Sequence, residues 1–266
     1  MESKKSRKIV IVGGSAAGST VGANLRRLDD FSEIVIIERD PDVSFSNCSL
    51  PYYFSDEVEE IDDLIVTTPE QFKTRYNIDA RVNEEVIDIN REEKFVVVVN
   101  LETKETYKES YDYLILAPGG EPKTPKNLLM DKVFTLRNVE DVRNISEFLR
   151  DNEIKNVGII GNGFIGVEVG EAFKLAGKNV TLFGSMEQVL TPFDQDMAQI
   201  IHKEMLDHDL KLVLGCRVSD TTDYGVEIES GKVFPADLII LAIGISPNTK
   251  LVEKAGLKIG ETRGIL

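Results

Sequence analysis

The chain has 266 residues and a formal net charge of −15, and 42% of its residues are hydrophobic. This composition excludes general disorder and a disulfide-stapled mini-protein, and the length predicts two domains. The strong negative charge would repel phosphate backbones and therefore argues against nucleic-acid binding. The longest apolar run, from Leu238 to Ile245, is too short to cross a bilayer, so we expect no membrane partner. Two distant cysteines, Cys48 and Cys216, and no signal peptide before Gly13 predict a cytoplasmic protein.

The N-terminal segment predicts a strand–helix–strand unit. Lys8 to Val12 is a run of β-branched residues, a helical pattern extends from Ala17 to about Leu28, and a second β-branched run covers Ile34 to Ile37. A connection of this kind makes the two strands parallel. The turn after the first strand, residues 13–18 (GGSAAG), resembles the dinucleotide-binding pattern G-x-G-x-x-G, with Ser15 in place of the middle glycine.

This turn and the end of the second strand have features of a nucleotide site. A tight glycine turn before a helix lets backbone N–H groups approach a pyrophosphate, and the helix dipole favours the anion. Glu38 closes the second strand, where a carboxylate can accept hydrogen bonds from the hydroxyls of an adenosine ribose. The first unit therefore predicts binding of a dinucleotide.

The middle of the chain has a different pattern. Successive short strands separated by polar turns predict an antiparallel meander inserted into an α/β domain. These strands cover Glu84 to Ile89, Lys94 to Leu101, Glu105 to Glu109 and Tyr113 to Ala117. A cluster of proline and glycine at 118–125 then marks a boundary or crossover.

A second strand–helix–strand unit repeats the first. The strand Asn156 to Ile160 leads into residues 161–166 (GNGFIG), a complete G-x-G-x-x-G, followed by a helix from about Ile165 to Ala176 and the strand Asn179 to Phe183. The remaining predicted elements are helices at Val139 to Asp151 and about Asp194 to Asp207, and strands near Leu210 to Leu214, Gly225 to Glu229 and Leu238 to Ala242.

Two glycine turns in the correct context predict two dinucleotides, although each turn alone is also explained by glycines that only tighten a loop. The second unit has Gly184 and Ser185 where the first has Glu38. The lack of an acid would admit a 2′-phosphate, but no Arg or Lys lies nearby in the sequence to bind one. The sequence therefore leaves NADH and NADPH both open.

Cys48 lies in residues 44–53 (SFSNCSLPYY), where it begins a helix-like stretch shortly after Glu38. Two dinucleotide sites point to hydride exchange between a flavin and a nicotinamide nucleotide, and a thiol close to the flavin could receive the electrons. A thiol at a helix N-terminus has a lowered pKa, whereas the alternative for a lone cysteine is a buried structural role. No second cysteine lies near, so the partner sulfur would come from a small thiol, or Cys48 would cycle through sulfenic acid or persulfide. We interpret Cys216 as structural.

Four motifs together resemble those of a known enzyme family. They are residues 44–52 (SFSNCSLPY), 116–119 (LAPG), 161–168 (GNGFIGVE) and 241–248 (LAIGISPN). The resemblance is to the single-cysteine branch of the flavoprotein pyridine nucleotide-disulfide oxidoreductases, which contains coenzyme A disulfide reductases, NADH-dependent persulfide reductases, NADH oxidases and NADH peroxidases.

The fold that this resemblance implies is α/β, with two Rossmann-like dinucleotide-binding domains and an inserted antiparallel β-meander. Residues 1–120, with 243–266 returning to them, would form the FAD-binding domain. Residues 121–242 would form the NAD(P)H-binding domain.

The resemblance also implies roles for individual residues, with Cys48 as the redox-active cysteine. The FAD contacts would be Gly13, Ser15, Ala16, Ala17, Glu38, Arg39, Asn47, Val86, Ala117 and Gly119. The NAD(P)H contacts would be Gly161, Gly163, Phe164, Ile165, Glu168 and Gly244. Contacts to coenzyme A, one candidate thiol, would be Thr20, Asn24, Arg27, Ser44 and Asn47. No metal ligands are assigned.

Within this family the predicted function is electron transfer from NAD(P)H through FAD to a small-molecule disulfide or persulfide. The oxidases and peroxidases have a histidine where this chain has Ala16, and His202 and His208 lie in a distant helix that reads as a solvated face. An NADH oxidase or peroxidase and a non-catalytic nucleotide-binding or redox-sensing module are the alternatives. Family members continue with a second FAD-binding segment and a dimerisation domain. The resemblance thus implies a truncated chain with weak FAD binding and little turnover, and a homodimer for the full-length protein.

Overall fold

The structure is a computed structural model that describes residues 6–266. Its strands are β1 (Lys8–Val12), β2 (Glu33–Ile37), β3 (Asp79–Arg81), β4 (Glu84–Asn90), β5 (Phe95–Asn100), β6 (Thr106–Ser110), β7 (Tyr113–Leu116), β8 (Gly120–Pro122), β9 (Val133–Phe134), β10 (Asn156–Ile160), β11 (Asn179–Phe183), β12 (Lys211–Val213), β13 (Val218–Thr222), β14 (Gly225–Ile228), β15 (Val233–Pro235), β16 (Leu238–Leu241) and β17 (Ile245–Pro247). Its α-helices are α1 (Ala16–Leu28), α2 (Pro69–Tyr76), α3 (Val139–Asp151), α4 (Phe164–Leu175), α5 (Gln195–Asp207) and α6 (Lys250–Lys254). None of the helices formed by residues 6–266 combines the length and the apolar character that a bilayer crossing requires.

The chain divides into two compact units. The first comprises the stretch that ends at Ser46 together with Ile65–Glu121 and Pro247–Leu266. The second comprises Asn47–Leu64 and Pro122–Ser246. The predicted domains kept residues 1–120 together, whereas the segment that carries Cys48 belongs to the second compact unit.

The first unit contains a parallel sheet in the order β3-β2-β1-β7. Its central strands β1 and β2 are short, mainly β-branched runs buried on both faces, as expected for parallel strands covered on each side. On one face Val10 and Val12 pack against Val96 and Val98 of the meander. On the other face Ile9 and Ile11 pack with Phe72 of α2, because successive residues of a strand point to opposite faces.

The predicted antiparallel meander is confirmed for three of its four strands, since β4, β5 and β6 pair antiparallel in that order. The assignment of Tyr113 to Ala117 as its fourth strand is wrong. This segment forms β7, which pairs parallel with β1, with Leu114 opposite Val10. The Asp112 carboxylate accepts a hydrogen bond from the backbone N–H of Lys8 at 2.7 Å, which aligns the starts of the two strands.

The second unit repeats this architecture with a parallel sheet in the order β12-β11-β10-β16-β9. Strands β13, β14 and β15 form an antiparallel sheet whose Val226 and Phe234 join the buried cluster around Ile160, Phe183 and Ile239. The predicted helices and parallel strands of this region are confirmed to within a few residues at their ends. The fold class predicted from the sequence, with two Rossmann-like units and an inserted meander, is thereby confirmed.

Candidate functional site

The first glycine turn connects β1 to α1 at the carboxyl end of the parallel sheet. Gly13 has a φ of +93°, and a Cβ atom at this position would collide with the carbonyl oxygen of Ala117. Its N–H donates to the Ile37 carbonyl oxygen at 2.9 Å, which fixes the turn beside the end of β2. Only glycine combines this backbone angle with so close an approach of two chain segments.

Glu38 lies beside this turn, where the sequence predicted a ribose-binding carboxylate. Its side chain is 94% buried, with 6% exposed. Its Oε2 accepts a hydrogen bond from the Gly14 N–H at 2.6 Å, and its Oε1 accepts one from the Asp40 N–H at 3.0 Å. Charge-assisted bonds of this kind hold the carboxylate in one orientation next to the turn.

The chain near Ala117 and Gly119 is also held by polar contacts within the first unit. The Asn248 amide donates to the Pro118 carbonyl oxygen at 2.9 Å and to Glu121 Oε1 at 3.0 Å. Arg39 forms an ion pair with Glu121. Ala117 extends the β1 ladder by donating its N–H to the Val12 carbonyl oxygen at 2.8 Å.

The second glycine turn has the same backbone geometry. Gly161 has a φ of +132°, and a Cβ atom there would collide with the Ala242 carbonyl oxygen. Gly163 is the N-cap residue of α4, and no heavy atom lies within 4 Å of the position that its Cβ atom would occupy. The space beside Gly163 at the N-terminus of α4 is therefore open, which suits a pyrophosphate.

A cleft of about 540 Å³ opens at this second turn. Its lining includes residues 161–163, Ser185, Thr191, Arg217 and Gly244. The volume falls within the range of small-molecule and cofactor sites. The lining is built from backbone and small side chains at the turn, so the residues present fit a nicotinamide dinucleotide.

Gly184 lies at the end of β11, the position equivalent to Glu38. Its N–H donates to the Val213 carbonyl oxygen at 3.0 Å, and its own carbonyl oxygen accepts from the Cys216 N–H at 3.2 Å. A Cβ atom at this position would lie 2.7 Å from the Asn162 side chain, whose amide donates to the Gln188 carbonyl oxygen at 2.6 Å. An acidic side chain at this point would displace Asn162.

Cys48 lies in the second unit and its side chain is exposed. The helix-like stretch predicted here consists of two short 3-10 helices, Asn47–Ser49 and Pro51–Ser55. Phe54 anchors this segment by stacking on Phe173 of α4 with ring centroids 5.1 Å apart. The alternative of a buried structural cysteine is therefore wrong for Cys48.

Two ionisable groups near this segment hold their protons more tightly than usual. Burial raises the pKa of the Tyr52 phenol, and the negative charges of Glu168 and Glu171 raise that pKa further. Burial also raises the pKa of Glu168, again with a contribution from Glu171. The Tyr52 hydroxyl thus keeps its proton near neutral pH and can donate it in a hydrogen bond.

Comparisons with known proteins agree with this geometry. The family model of the pyridine nucleotide-disulphide oxidoreductases matches residues 7–266. The chain belongs to this family. A coenzyme A disulfide reductase of Staphylococcus haemolyticus is 37% identical over 255 residues, which cover 96% of this chain and 58% of that protein.

Solved structures of two other proteins superpose closely. The reduced Bacillus anthracis CoADR-RHD matches with a TM-score of 0.92 and 42% identity, over 97% of this chain and 47% of that one. The NAD-dependent persulfide reductase from A. fulgidus matches with a TM-score of 0.90 and 33% identity, over 96% and 49% of the two chains. The chain therefore spans about half the length of these relatives. The two cofactors expected from the sequence, FAD and NAD(P)H, are those of the pyridine nucleotide-disulphide oxidoreductases.

The residues predicted to contact coenzyme A fall into two groups in this oxidoreductase. Thr20, Asn24 and Arg27 are all exposed and share one face of α1, because they are spaced by four and three residues. The Arg27 Nη1 atom donates to Asn24 Oδ1 at 3.2 Å. Ser44 belongs to the first unit and Asn47 to the second.

The interpretation of His202 and His208 as a solvated face is wrong for one of them. His202 is partly buried, and its Nε2 accepts a hydrogen bond from the Val189 N–H at 2.9 Å. His208 is exposed and lies at the end of α5. Cys216 packs against the buried cluster of the second unit, as its structural interpretation predicts, and burial raises the pKa of its thiol.

Sequence reasoning missed Arg217, which lines the cleft of the second turn. Among its neighbours along the chain, Gly184 has no basic residue. Arg217 follows β12, which pairs parallel with β11. The signal was therefore present in the predicted strand near Leu210 to Leu214, whose carboxyl end must lie beside Gly184 in a parallel sheet.

Proposed function

We propose that the protein is a flavoprotein oxidoreductase that transfers electrons from NAD(P)H through FAD to a disulfide or persulfide of the coenzyme A type. The observation that carries this proposal is the exposed thiol of Cys48 in a chain with two dinucleotide-binding turns. Cys216, the other cysteine, is packed at the end of a strand in the second unit. Cys48 therefore has no resolving cysteine beside it in the sequence and must exchange with a sulfur from the substrate.

The proposal assigns each nucleotide to one turn. In the first unit, Glu38 and the turn at 13–18 would hold the adenosine and pyrophosphate of FAD. The full set of proposed FAD contacts is Gly13, Ser15, Ala16, Ala17, Glu38, Arg39, Asn47, Val86, Ala117 and Gly119. The proposed NAD(P)H contacts are Gly161, Gly163, Phe164, Ile165, Glu168 and Gly244.

The sulfur chemistry belongs to Cys48. FAD, when bound, supplies the means of turning the hydride of NAD(P)H into an electron pair for sulfur. The Cys48 thiolate attacks one sulfur of the substrate disulfide, forms a mixed disulfide and releases the other half as a thiolate. Two electrons then cleave the mixed disulfide into the Cys48 thiolate and the second thiol. The balance is one NAD(P)H, one proton and one disulfide giving NAD(P)⁺ and two thiols.

The substrate half of the proposal rests on the exposed face of α1. Thr20 and Asn24 offer hydrogen-bonding groups, and Arg27 offers a positive charge for a phosphate. Ser44 and Asn47 complete the proposed coenzyme A contacts. A homodimer for the full-length protein and a cytoplasmic location, expected from two free thiols, belong to the same proposal.

The test is a stoichiometric reaction of the chain with coenzyme A disulfide under anaerobic conditions, followed by intact mass. We expect one coenzyme A adduct that NADPH or NADH removes when FAD is present. Cys48→Ser should abolish the adduct, whereas the matched variant Cys216→Ser should form it normally. Adduct formation in Cys48→Ser, or its persistence after addition of FAD and NAD(P)H, would contradict the proposal.

The same samples separate the alternatives. An NADH oxidase or peroxidase would consume NADH with oxygen or peroxide and would not need the disulfide. Ala16 occupies the position of the histidine on which the resemblance would base peroxide chemistry. A nucleotide-binding or sensing module would bind both nucleotides and leave the adduct in place.

A further inference from the structure

Resting on the proposed function, we propose that Arg217 and Ser185 form a subsite for the 2′-phosphate of NADPH, which makes NADPH the preferred electron donor. Arg217 follows β12, the strand that pairs with β11, and does not belong to the glycine turn itself.

Arg217 lies four residues after the end of β12, the edge strand of the parallel sheet in the second unit. Strands β11 and β12 are parallel neighbours, with Phe183 opposite Val213. The segments that follow β11 and β12 remain hydrogen-bonded beyond the sheet. The Gly215 N–H donates to the Met186 carbonyl oxygen at 3.0 Å, and the Cys216 N–H donates to the Gly184 carbonyl oxygen at 3.2 Å. Arg217 is the next residue, so the bonds of its two predecessors hold it close to the end of β11.

The end of β11 carries no carboxylate at the position that would face a ribose. NAD-binding units of this fold place a carboxylate at the end of the second strand, where it accepts bonds from the ribose 2′-hydroxyl and repels a 2′-phosphate. Here that position is Gly184, and the Asn162 side chain fills the space that a larger residue would need. The following residue, Ser185, lines the cleft and presents a hydroxyl.

The Arg217 side chain is exposed and lines the same cleft as Ser185 and residues 161–163. Within residues 6–266, no ion pair or side-chain hydrogen bond engages its guanidinium group. A planar guanidinium group with unengaged donors is well suited to a phosphate, which it can bind through two parallel hydrogen bonds.

One nearby carboxylate, that of Glu187, would favour NADH over NADPH. Glu187 follows Ser185 by two residues and could accept bonds from the hydroxyls of NADH. Its Cγ atom lies 3.5 Å from the position of a Cβ atom at Gly215, and its side chain does not line the cleft. Arg217 lines the cleft and Glu187 does not, so the geometry favours the phosphate.

The experiment measures binding of 2′,5′-ADP and 5′-AMP to the chain by calorimetry, which needs neither flavin nor turnover. We expect the parent to bind 2′,5′-ADP about 10- to 100-fold more tightly than 5′-AMP, the range expected of one charged hydrogen-bond pair. Arg217→Ala should bring the two affinities together by weakening 2′,5′-ADP alone. Arg217→Lys should restore part of the difference, because it keeps the charge and loses the planar fork.

Controls separate the subsite from general charge and from folding. Arg150→Ala removes one positive charge from an exposed arginine outside the cleft lining and should leave both affinities unchanged. Glu187→Gln should not raise the affinity for 2′,5′-ADP by more than about 3-fold, as expected for a charge outside the site. Thermal unfolding of each variant should match the parent.

The outcomes distinguish this inference from the proposed function. Equal binding of the two nucleotides by the parent, or an Arg217→Ala variant that keeps the preference, would overturn the 2′-phosphate subsite and leave a reductase that uses NADH. Failure of both nucleotides to bind would contradict the nicotinamide site itself, and the subsite with it.

Discussion

The two glycine turns, residues 13–18 and 161–166, share a backbone and differ at the end of the neighbouring strand. In both, the first glycine has a positive φ and approaches a carbonyl oxygen of the next parallel strand, that of Ala117 or of Ala242. In the first unit β2, which lies on the other side of β1, is followed by Glu38, a buried carboxylate bonded to the turn. In the second unit β11, which lies on the other side of β10, is followed by Gly184, and the cleft lining includes the charged residue Arg217.

This contrast shows that the backbone of the turn and the residue at the strand end recognise different parts of a nucleotide, the pyrophosphate and the ribose. The turn geometry fits any pyrophosphate, because a glycine turn lets the phosphates approach the backbone at a helix N-terminus. The group at the strand end distinguishes one ribose from another: a carboxylate suits free hydroxyls, and an arginine suits a 2′-phosphate. The comparison therefore predicts that FAD, which has no 2′-phosphate, uses the first unit and NADPH uses the second.

The largest effect is expected from adding a methyl group to either turn. Gly161→Ala should cost about 2 to 4 kcal/mol in the free energy of unfolding, because it combines a strained φ with a collision against Ala242. It should abolish 2′,5′-ADP binding and leave FAD binding intact, whereas Gly13→Ala should do the reverse. Retention of FAD on gel filtration measures FAD binding, and calorimetry measures 2′,5′-ADP binding. A variant that loses both nucleotides, or neither, would break the assignment of one turn to each.

A smaller effect is expected from the carboxylate that marks the first unit. Glu38→Gln keeps the shape of the side chain but turns one acceptor oxygen into an amide group that opposes a backbone N–H donor. We expect FAD affinity to fall about 10- to 100-fold, the cost of a lost charged hydrogen bond. Fluorescence titration with FAD measures it. Glu187→Gln, at the corresponding end of β11, is the matched control and should leave FAD affinity at the parental value.

The smallest effect concerns a pair of aspartates that occupy equivalent positions in the two sheets. Asp112 bonds to the Lys8 N–H at the start of β1, and Asp237 Oδ2 accepts from the Lys155 and Asn156 N–H groups at 3.0 and 2.8 Å at the start of β10. Burial acts to raise the pKa of Asp237, but these backbone hydrogen bonds outweigh it and the pKa is lowered. Asp237→Asn should therefore lower the free energy of unfolding by about 1 kcal/mol at neutral pH.

The pH dependence of that loss follows from the direction of the shift. A carboxyl group whose pKa is lower in the folded state stabilises the fold above its unfolded pKa, and this contribution disappears as the pH falls through the folded pKa. Parent and Asp237→Asn should thus converge in acid. Urea unfolding at several pH values measures the difference. A constant gap down to the lowest pH at which the parent folds would show that Asp237 does not act through its charge.

Local patterns predicted most of the fold. The strands around both glycine turns were predicted because short β-branched runs end in glycine at a helix start, and α3 was predicted to its ends. The helix α2 was missed although its sequence has a clear start signal. Thr68 and Gln71 form a reciprocal capping box and Pro69 occupies the first helical position.

Other features of the structure depend on contacts between distant parts of the chain. Tyr113 to Ala117 has the same pattern as a meander strand, and only its parallel pairing with β1 distinguishes it. The placement of the Cys48 segment with the second unit depends on Phe54 stacking on Phe173, more than a hundred residues away. The proximity of Arg217 to Gly184 follows only from the parallel pairing of β12 with β11.

Anaerobic addition of NADPH to the FAD-loaded chain, followed by the visible absorbance of the flavin, tests most directly whether the two turns hold nucleotides that exchange a hydride. We expect bleaching in the parent and in Cys48→Ser, since the thiol acts after the flavin, and no bleaching in Gly161→Ala. An unbleached parent, or a Gly161→Ala variant that bleaches at the parental rate, would contradict this expectation.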